Sequence, residues 1–166
     1  MRIAVISDTH IYDPSPRLED VYAHYLAGAD AVLHCGDMTG RSAWSYLSQH
    51  PNFHAVAGNM DDWALVQELR PRLTLTLDHL TIGLAHGNGL AGRPLSRAVA
   101  ESFGPGYDLV CFGHTHNPEH ATYGDTHVVN PGSLANHESA PTLAIIHTSP
   151  FHVEFVRVKT RGGFKG

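Results

Sequence analysis

Fourteen of the 166 residues are histidine, nearly one in twelve. Imidazole is a frequent metal ligand and a base that titrates near neutral pH. Several of these histidines stand beside short-chain acids and amides: Asp8-Thr-His10, Gly36-Asp37, Gly58-Asn59 with Asp61 two residues on, His86-Gly-Asn88 and Gly113-His114-Thr-His116. The donors are carboxylate, amide and imidazole, with no thiolate. Asp8, His10, Asp37, Asn59, His86, His114 and His116 are too many ligands for one ion. They suit two divalent ions of the Mn, Fe, Ni or Zn type rather than Mg or Ca, because imidazole dominates. Two such ions held ~3.5–4 Å apart share a carboxylate, activate water between them and clamp a phosphoryl group. Any one of these residues alone has an ordinary reading: Asp after a strand is a turn former or helix cap, and Asn a turn residue.

What lifts them above that reading is where they fall. Ile3–Ile6, Ala31–Cys35, Phe53–Ala57, Leu80–Ala85 and Asp108–Phe112 read as short buried strands. Each ends directly on one of the clusters. Leu18, Val21, Tyr22, Tyr25, Leu26 and Ala29 recur at helical spacing, predicting a helix of about three turns from Pro16 to Gly28. Ala43, Trp44 and Leu47 mark a second helix, and Leu95, Ala98, Val99 and Phe103 a third. Strand, helix, strand, helix, strand with short links is a parallel βαβαβ unit. In such open sheets ligands bind at the carboxyl ends of the strands. In the second half Leu73, Leu75 and Leu77 alternate with threonines, as in a half-buried strand hairpinned to Leu80–Ala85. Strands at 121–123 and 126–129 flank Gly124-Asp125, and a last hairpin joins 142–147 to 151–158. The expected molecule is one α/β domain over residues 1–166, with two mixed sheets face to face between helices and a frayed tail from about 160.

Composition bounds the partners. Lys+Arg is 11 and Asp+Glu 16, a net charge of −5, so no footprint for duplex nucleic acid or an anionic membrane exists. No segment reaches the ~18 apolar residues of a membrane span. The N-terminus does not read as a signal peptide, and Cys35 and Cys111 lie in apolar runs without paired spacing, as reduced buried thiols do. A cytoplasmic location is expected. Sheet edges and the segment Tyr12–Pro16 leave room for a homo-oligomer.

The five clusters, in their order and spacing, resemble the calcineurin-like metallophosphoesterase signature. Asn130-Pro-Gly-Ser133 and the short length look like its small single-domain prokaryotic phosphodiesterase branch. The resemblance runs from Arg2 to about Ser133. It implies a four-layer α/β/β/α sandwich and two divalent ions per chain, Mn first, with Ni, Fe or Zn as alternatives. It assigns Asp8, His10, Asp37 and His116 to one ion and Asp37, Asn59, His86 and His114 to the other, with Asp37 as bridge. The implied activity is hydrolysis of small phosphodiesters by a hydroxide bridging the metals. Asp37, Asn59 and His86 would be catalytic, with Asp61 a candidate acid.

Two departures stand out. Family members often carry His directly after the Asn of the third cluster; here the residue is Met60, and a thioether cannot donate a proton. The segment after Ser133, Leu134-Ala-Asn-His-Glu-Ser-Ala140, lacks the Pro-Arg pair often found there, with Asn136 or His137 as candidate substitutes. Gly87-Asn-Gly-Leu-Ala-Gly92 fits the dinucleotide-loop pattern, but the acid expected after the next strand is missing. The rival reading is a non-enzymatic partner-binding scaffold, since the same fold serves as the small subunit of the eukaryotic retromer coat. Complete ligand positions favour the enzyme.

Overall fold

The structure is a computed structural model that describes residues 1–135 and 140–159. Its elements in order are β1 (Arg2–Ile6), α1 (Pro16–Val21), β2 (Ala31–His34), α2 (Arg41–Leu47), β3 (Phe53–Ala55), α3 (Trp63–Glu68), β4 (Arg72–Leu77), β5 (Leu80–Ala85), α4 (Leu95–Phe103), β6 (Leu109–Cys111), β7 (Pro118–Tyr123), β8 (Thr126–Pro131), β9 (Thr142–Thr148) and β10 (Phe151–Arg157). They form two five-stranded mixed sheets, β10-β9-β1-β2-β3 and β4-β5-β6-β8-β7. The first three strands pair in parallel, with Ile3 opposite Ala31 and Val32 opposite Phe53. In the second sheet β5, β6 and β8 are parallel, and β4 and β7 close the edges antiparallel.

Strand alternation builds the layers. In β1, Ile3 and Val5 face the second sheet, while Ala4 and Ile6 face α1 and α2. Leu33, Ala144 and Ile146 join the inter-sheet layer; Val32, Leu143 and Ile145 join the helical side. In and beyond β6, Leu109 and Cys111 point between the sheets, and Val110 and Phe112 point to α4. These central strands are apolar on both sides because both faces are covered. The result is the α/β/β/α sandwich. Each fully buried Ile, Leu or Phe contributes about 1.5–3 kcal/mol. Cys35 and Cys111 are buried free thiols, and burial pushes both well up from the ordinary thiol range.

Three differences from the sequence reading have local causes. The first helix starts as expected, with Pro16 in its first turn and Ser15 Oγ accepting from Leu18 N at 3.2 Å. From Tyr22 to Leu26 it widens to a π-helix, closed by Ala27 N donating to Tyr22 O at 2.8 Å. The widening keeps Leu26 in the core. Helix α3 is an addition to the elements expected from the sequence. Its signal was short: Asp62 as N-cap, accepting from Leu65 N at 2.8 Å, and Leu65 with Leu69 on one face. The strand β7 begins earlier than expected, at Pro118. Asn136, His137 and the tail from 160 lie outside the described residues. Among the described residues no helix is long and apolar enough to cross a membrane.

Candidate metal centre

The loops that leave β1, β2 and β6 hold their side chains by unusual backbone angles. Asp8, His10, Asp37, His114 and His116 have φ between 49° and 71°. They are five of the seven described non-glycine residues with positive φ. Such conformations cost about 1–3 kcal/mol each and persist only where the surroundings impose them. The loops are tied to one another: Asp8 N donates to Gly36 O at 3.0 Å, His10 N to Asp37 O at 3.1 Å, and Gly113 N to His86 O at 3.1 Å. The glycines before the ligands serve close approach. A Cβ on Gly58 would overlap Asp37, and one on Gly113 would overlap Ser7 and Asp8.

Both aspartates divide their oxygens. Asp8 Oδ2 accepts from Ser7 Oγ and from His114 N at 3.1 Å. Asp37 Oδ1 accepts from Met60 N at 2.7 Å. The remaining oxygens face the histidines. Asp8 Oδ1 is 3.2 Å from His116 Nε2, 3.7 Å from His10 Nε2 and 3.9 Å from His86 Nε2. Asp37 Oδ2 is 3.1 Å from His86 Nε2 and 3.9 Å from His10 Nε2. His10 and His116 turn their Nε2 atoms to each other at 3.3 Å. Ligands at 2.0–2.2 Å from one ion lie about 3.0–3.6 Å from each other. The shortest separations match this, and the longest are a few tenths of an ångström wider.

The tautomer of His86 decides what belongs in the gap. Its Nδ1 lies 2.8 Å from Cys35 O, a carbonyl that can only accept, so Nδ1 carries the proton. In neutral imidazole Nε2 is then a bare lone pair. It is buried beside Asp8 Oδ1, itself buried, and neither atom has a hydrogen-bond partner. Lone pairs packed against carboxylate oxygens repel unless a proton or cation lies between them. The backbone-anchored Nδ1–H is also the usual support of a metal-bound imidazole. The donors fall into two overlapping groups, Asp8–His10–His116 and Asp8–Asp37–His86, each able to hold an ion. Asp8 is common to both. Asp37, the expected bridge, belongs to the second, with one oxygen 3.9 Å from His10.

Titration reflects the crowding. Burial raises the Asp8 carboxyl, outweighing the Ser7 hydrogen bond and the nearby imidazoles. Burial also pushes Asp37 upward, but His86, Met60 N–H and His10 outweigh it, and the group ends below its ordinary value. For His86, burial favours the neutral ring, yet the two aspartates and Cys35 O raise its pKa overall.

The other expected residues lie around these groups. His114 is exposed, with its ring 5.1 Å from that of His86. It stands outside both groups. Asn59 is exposed in the turn after β3, between two residues that touch Asp37, Gly58 and Met60. Asp61 takes a bracing position: Oδ1 accepts from Thr39 N and Oδ2 from Gly58 N, both at 2.7 Å. It ties the loop of Asp37 to that of Asn59.

Support residues are what sequence reasoning underweighted. Buried Asn130 donates from Nδ2 to Gly113 O at 2.8 Å and Thr115 Oγ1 at 3.0 Å, and accepts from Gly132 N at 2.9 Å. Ser133 Oγ donates to Asp8 O at 3.1 Å. The Asn130–Ser133 block thus braces the loops of Asp8 and of His114–His116. His34, wholly buried, accepts from Gly36 N at Nδ1 and therefore donates from Nε2 to Thr9 Oγ1, both at 3.2 Å. Burial first, then the charge of His86, lowers its pKa to about 3, so it stays neutral.

A profile of the calcineurin-like phosphoesterase superfamily domain matches residues 1–150. The chain belongs to the calcineurin-like phosphoesterase superfamily. A probable metallophosphoesterase of Methanocaldococcus jannaschii is 33% identical over 135 residues, 80% of this chain and 68% of that protein. A phosphodiesterase of the same organism is 25% identical over 163 residues, 89% of this chain and 93% of its own length. Among solved structures, a predicted phosphoesterase of Streptococcus pneumoniae superposes with a TM-score of 0.75 at 26% identity, covering 98% of this chain and 93% of its own. Vps29 of Chaetomium thermophilum shares the fold, with a TM-score of 0.73 at 22% identity and coverage of 95% and 97%. For a calcineurin-like phosphoesterase, donor groups that converge at the strand ends are the expected place for divalent metal.

Proposed function

We propose that this member of the superfamily is a binuclear metal-dependent phosphodiesterase acting on small phosphodiesters. The observation that carries the reading is the meeting of His86 Nε2 with Asp8 Oδ1 and Asp37 Oδ2, lone pairs facing one another in a buried corner. Asp8, His10, Asp37 and His116 would hold one ion, and Asp37, Asn59, His86 and His114 the other. Mn is the first choice, with Ni, Fe or Zn as alternatives. Bound there, such a pair supplies an acidified water and positive charge for phosphate oxygens.

The protein's own groups have separate tasks. Asp37 is held by Met60 N so that Oδ2 faces the histidines. His86 is kept in the Nδ1–H form by Cys35 O, which leaves Nε2 as a ligand. His114, exposed with its ring 5.1 Å from that of His86, would reach both an ion and the substrate. No side chain in this set is poised to protonate the leaving oxygen: Met60 cannot, and Asp61 is committed to backbone donors. Substrates with good leaving groups should therefore be preferred. The fold likeness to Vps29 keeps the scaffold reading in view, but the metallophosphoesterase and phosphodiesterase relatives favour the enzyme.

The test is elemental analysis of metal-saturated protein together with hydrolysis of bis(4-nitrophenyl) phosphate. Two ions per chain and chelator-sensitive turnover are expected. One ion, with no weaker second site, would overturn the binuclear reading; metal without turnover would favour the scaffold.

A further inference from the structure

The loop between His86 and α4 carries the Gly87–Gly92 pattern that fails as a dinucleotide motif, and it ends in Arg93. In the fold this loop is one wall of a cavity of about 660 Å³, lined among others by Gly87, Gly89, Leu90, Arg93, Leu95 and His114. That volume is in the range of small-molecule sites. His114 joins the cavity to the metal centre, because its ring also stands 5.1 Å from that of His86. Leu90 and Leu95 give the cavity an apolar flank. At Gly89 even a Cβ would meet nothing within 4 Å, so the wall is open there.

The charge of the cavity is opposite to that of the molecule. The chain carries a net −5, yet no carboxylate lines this space and Arg93 does. The Arg93 guanidinium makes no ion pair or hydrogen bond among the described residues, whereas Arg41 is paired with Glu68 and Arg72 is bonded to Ser102 O. A free guanidinium offers a planar fork that fits phosphate oxygens. The segment from Leu134 to Ala140 supplies no arginine, and Arg93 is the arginine that lines the same cavity as the candidate ligand His114. We propose that the cavity receives one alcohol arm of the phosphodiester, and that Arg93 selects arms ending in a second phosphate. This rests on the phosphodiesterase reading of the neighbouring centre and adds the class of substrate.

Two measurements test it. The first compares 4-nitrophenyl ethyl phosphate with the same diester carrying a phosphate at the end of its ethyl arm. The intact protein should show the lower KM for the phosphate-bearing diester. Arg93→Ala should raise that KM about 10- to 100-fold, with kcat and the KM of the ethyl diester changed less than about 3-fold. Equal KM values in the intact protein, or a parallel loss on both diesters, would overturn the proposal. The second is independent of turnover: amide resonances followed by NMR as phenylphosphonate, which cannot be hydrolysed, is added to the zinc-loaded protein. Shifts centred on Gly89–Leu95 and lost in Arg93→Ala support the cavity even if neither diester is cleaved, in which case it is the reading of the centre that fails. Cleavage of both diesters without those shifts leaves the centre standing and removes the cavity's role.

Discussion

At the scale of single residues, the shared ligand is the sharpest question. Resemblance points to Asp37 as the bridge, while the geometry places Asp8 in both donor groups. Asp37→Asn keeps the shape and the bond from Met60 N but removes the charge. It should abolish diester hydrolysis and lower metal content below one ion per chain, with the thermal transition of the metal-free protein little changed. Retention of one firmly bound ion would move the bridge to Asp8. Met60 carries the second prediction. Its backbone serves Asp37 and its side chain is 57% exposed at the rim, so a replacement there is tolerated sterically. General acid catalysis is typically worth ~10²–10⁴-fold, and an alkoxide needs it where a nitrophenolate does not. The intact protein should lose rate steeply as leaving-group pKa rises along a diester series. Met60→His should flatten that slope, gaining more on alkyl than on aryl esters. A flat slope in the intact protein, with chemistry rate-limiting, would reveal an acid elsewhere.

At the scale of elements, the centre depends on loops that contribute no ligand. Asn130 at the end of β8 holds Gly113 O and Thr115 Oγ1, and Gly113 must sit against Ser7 and Asp8. Asn130→Ala strands a buried backbone carbonyl and the N–H of Gly132. It should cost about 1–3 kcal/mol in chemical denaturation and reduce kcat/KM more than tenfold, since displacement of ligands by 1 Å is enough for that. Asp61→Asn should act in the same direction from the other side, because an amide cannot accept from both Thr39 N and Gly58 N. If Asp61→Asn left stability unchanged while removing activity only on poor leaving groups, Asp61 would be the missing acid rather than a brace. The alternating apolar strands, their order and their hairpins were legible in the sequence, since period and turn residues are local properties. Helix α3 was not, because six residues with one buried leucine give too short a period to read. The bracing duty of Asn130–Ser133 was not either: it links residues far apart in the chain, and only the recognisable motif marked it.

At the scale of the whole molecule, the fold buries a histidine that stays neutral until the pH falls to about 3. His34 has its folded pKa lowered to about 3, against about 6.5 in the unfolded chain. Above pH 6.5 the ring is neutral in both states and costs nothing. Between 6.5 and 3 the unfolded chain takes up a proton that the folded chain refuses. Stability therefore falls as pH falls through this window, by up to about 1.4 kcal/mol per pH unit from this one group. Urea unfolding of the metal-free protein from pH 7 to 4 should show that slope, and His34→Asn should remove about one proton's worth of it. An unchanged slope in the variant would mean that other groups carry the acid sensitivity.

The sequence by itself determined the class of fold and the chemistry of the donors. Apolar runs must be buried, their period sets strand or helix, and a ligand cluster after each run follows from how parallel strands present their ends. It also marked the family, because five short motifs in order are specific together. The tertiary structure decided matters of distance and direction. It chose which oxygen of each aspartate is tied to the backbone and which faces the histidines, and it fixed the Nδ1–H form of His86. It left His114 and Asn59 at the exposed margin, bonded both oxygens of Asp61 to backbone N–H groups, and set Arg93 beside His114 across a cavity. These depend on φ angles near +50° to +70° and on hydrogen bonds that span up to 125 residues. No local pattern of residue types encodes such couplings; they arise only when two sheets pack and bring their strand ends together.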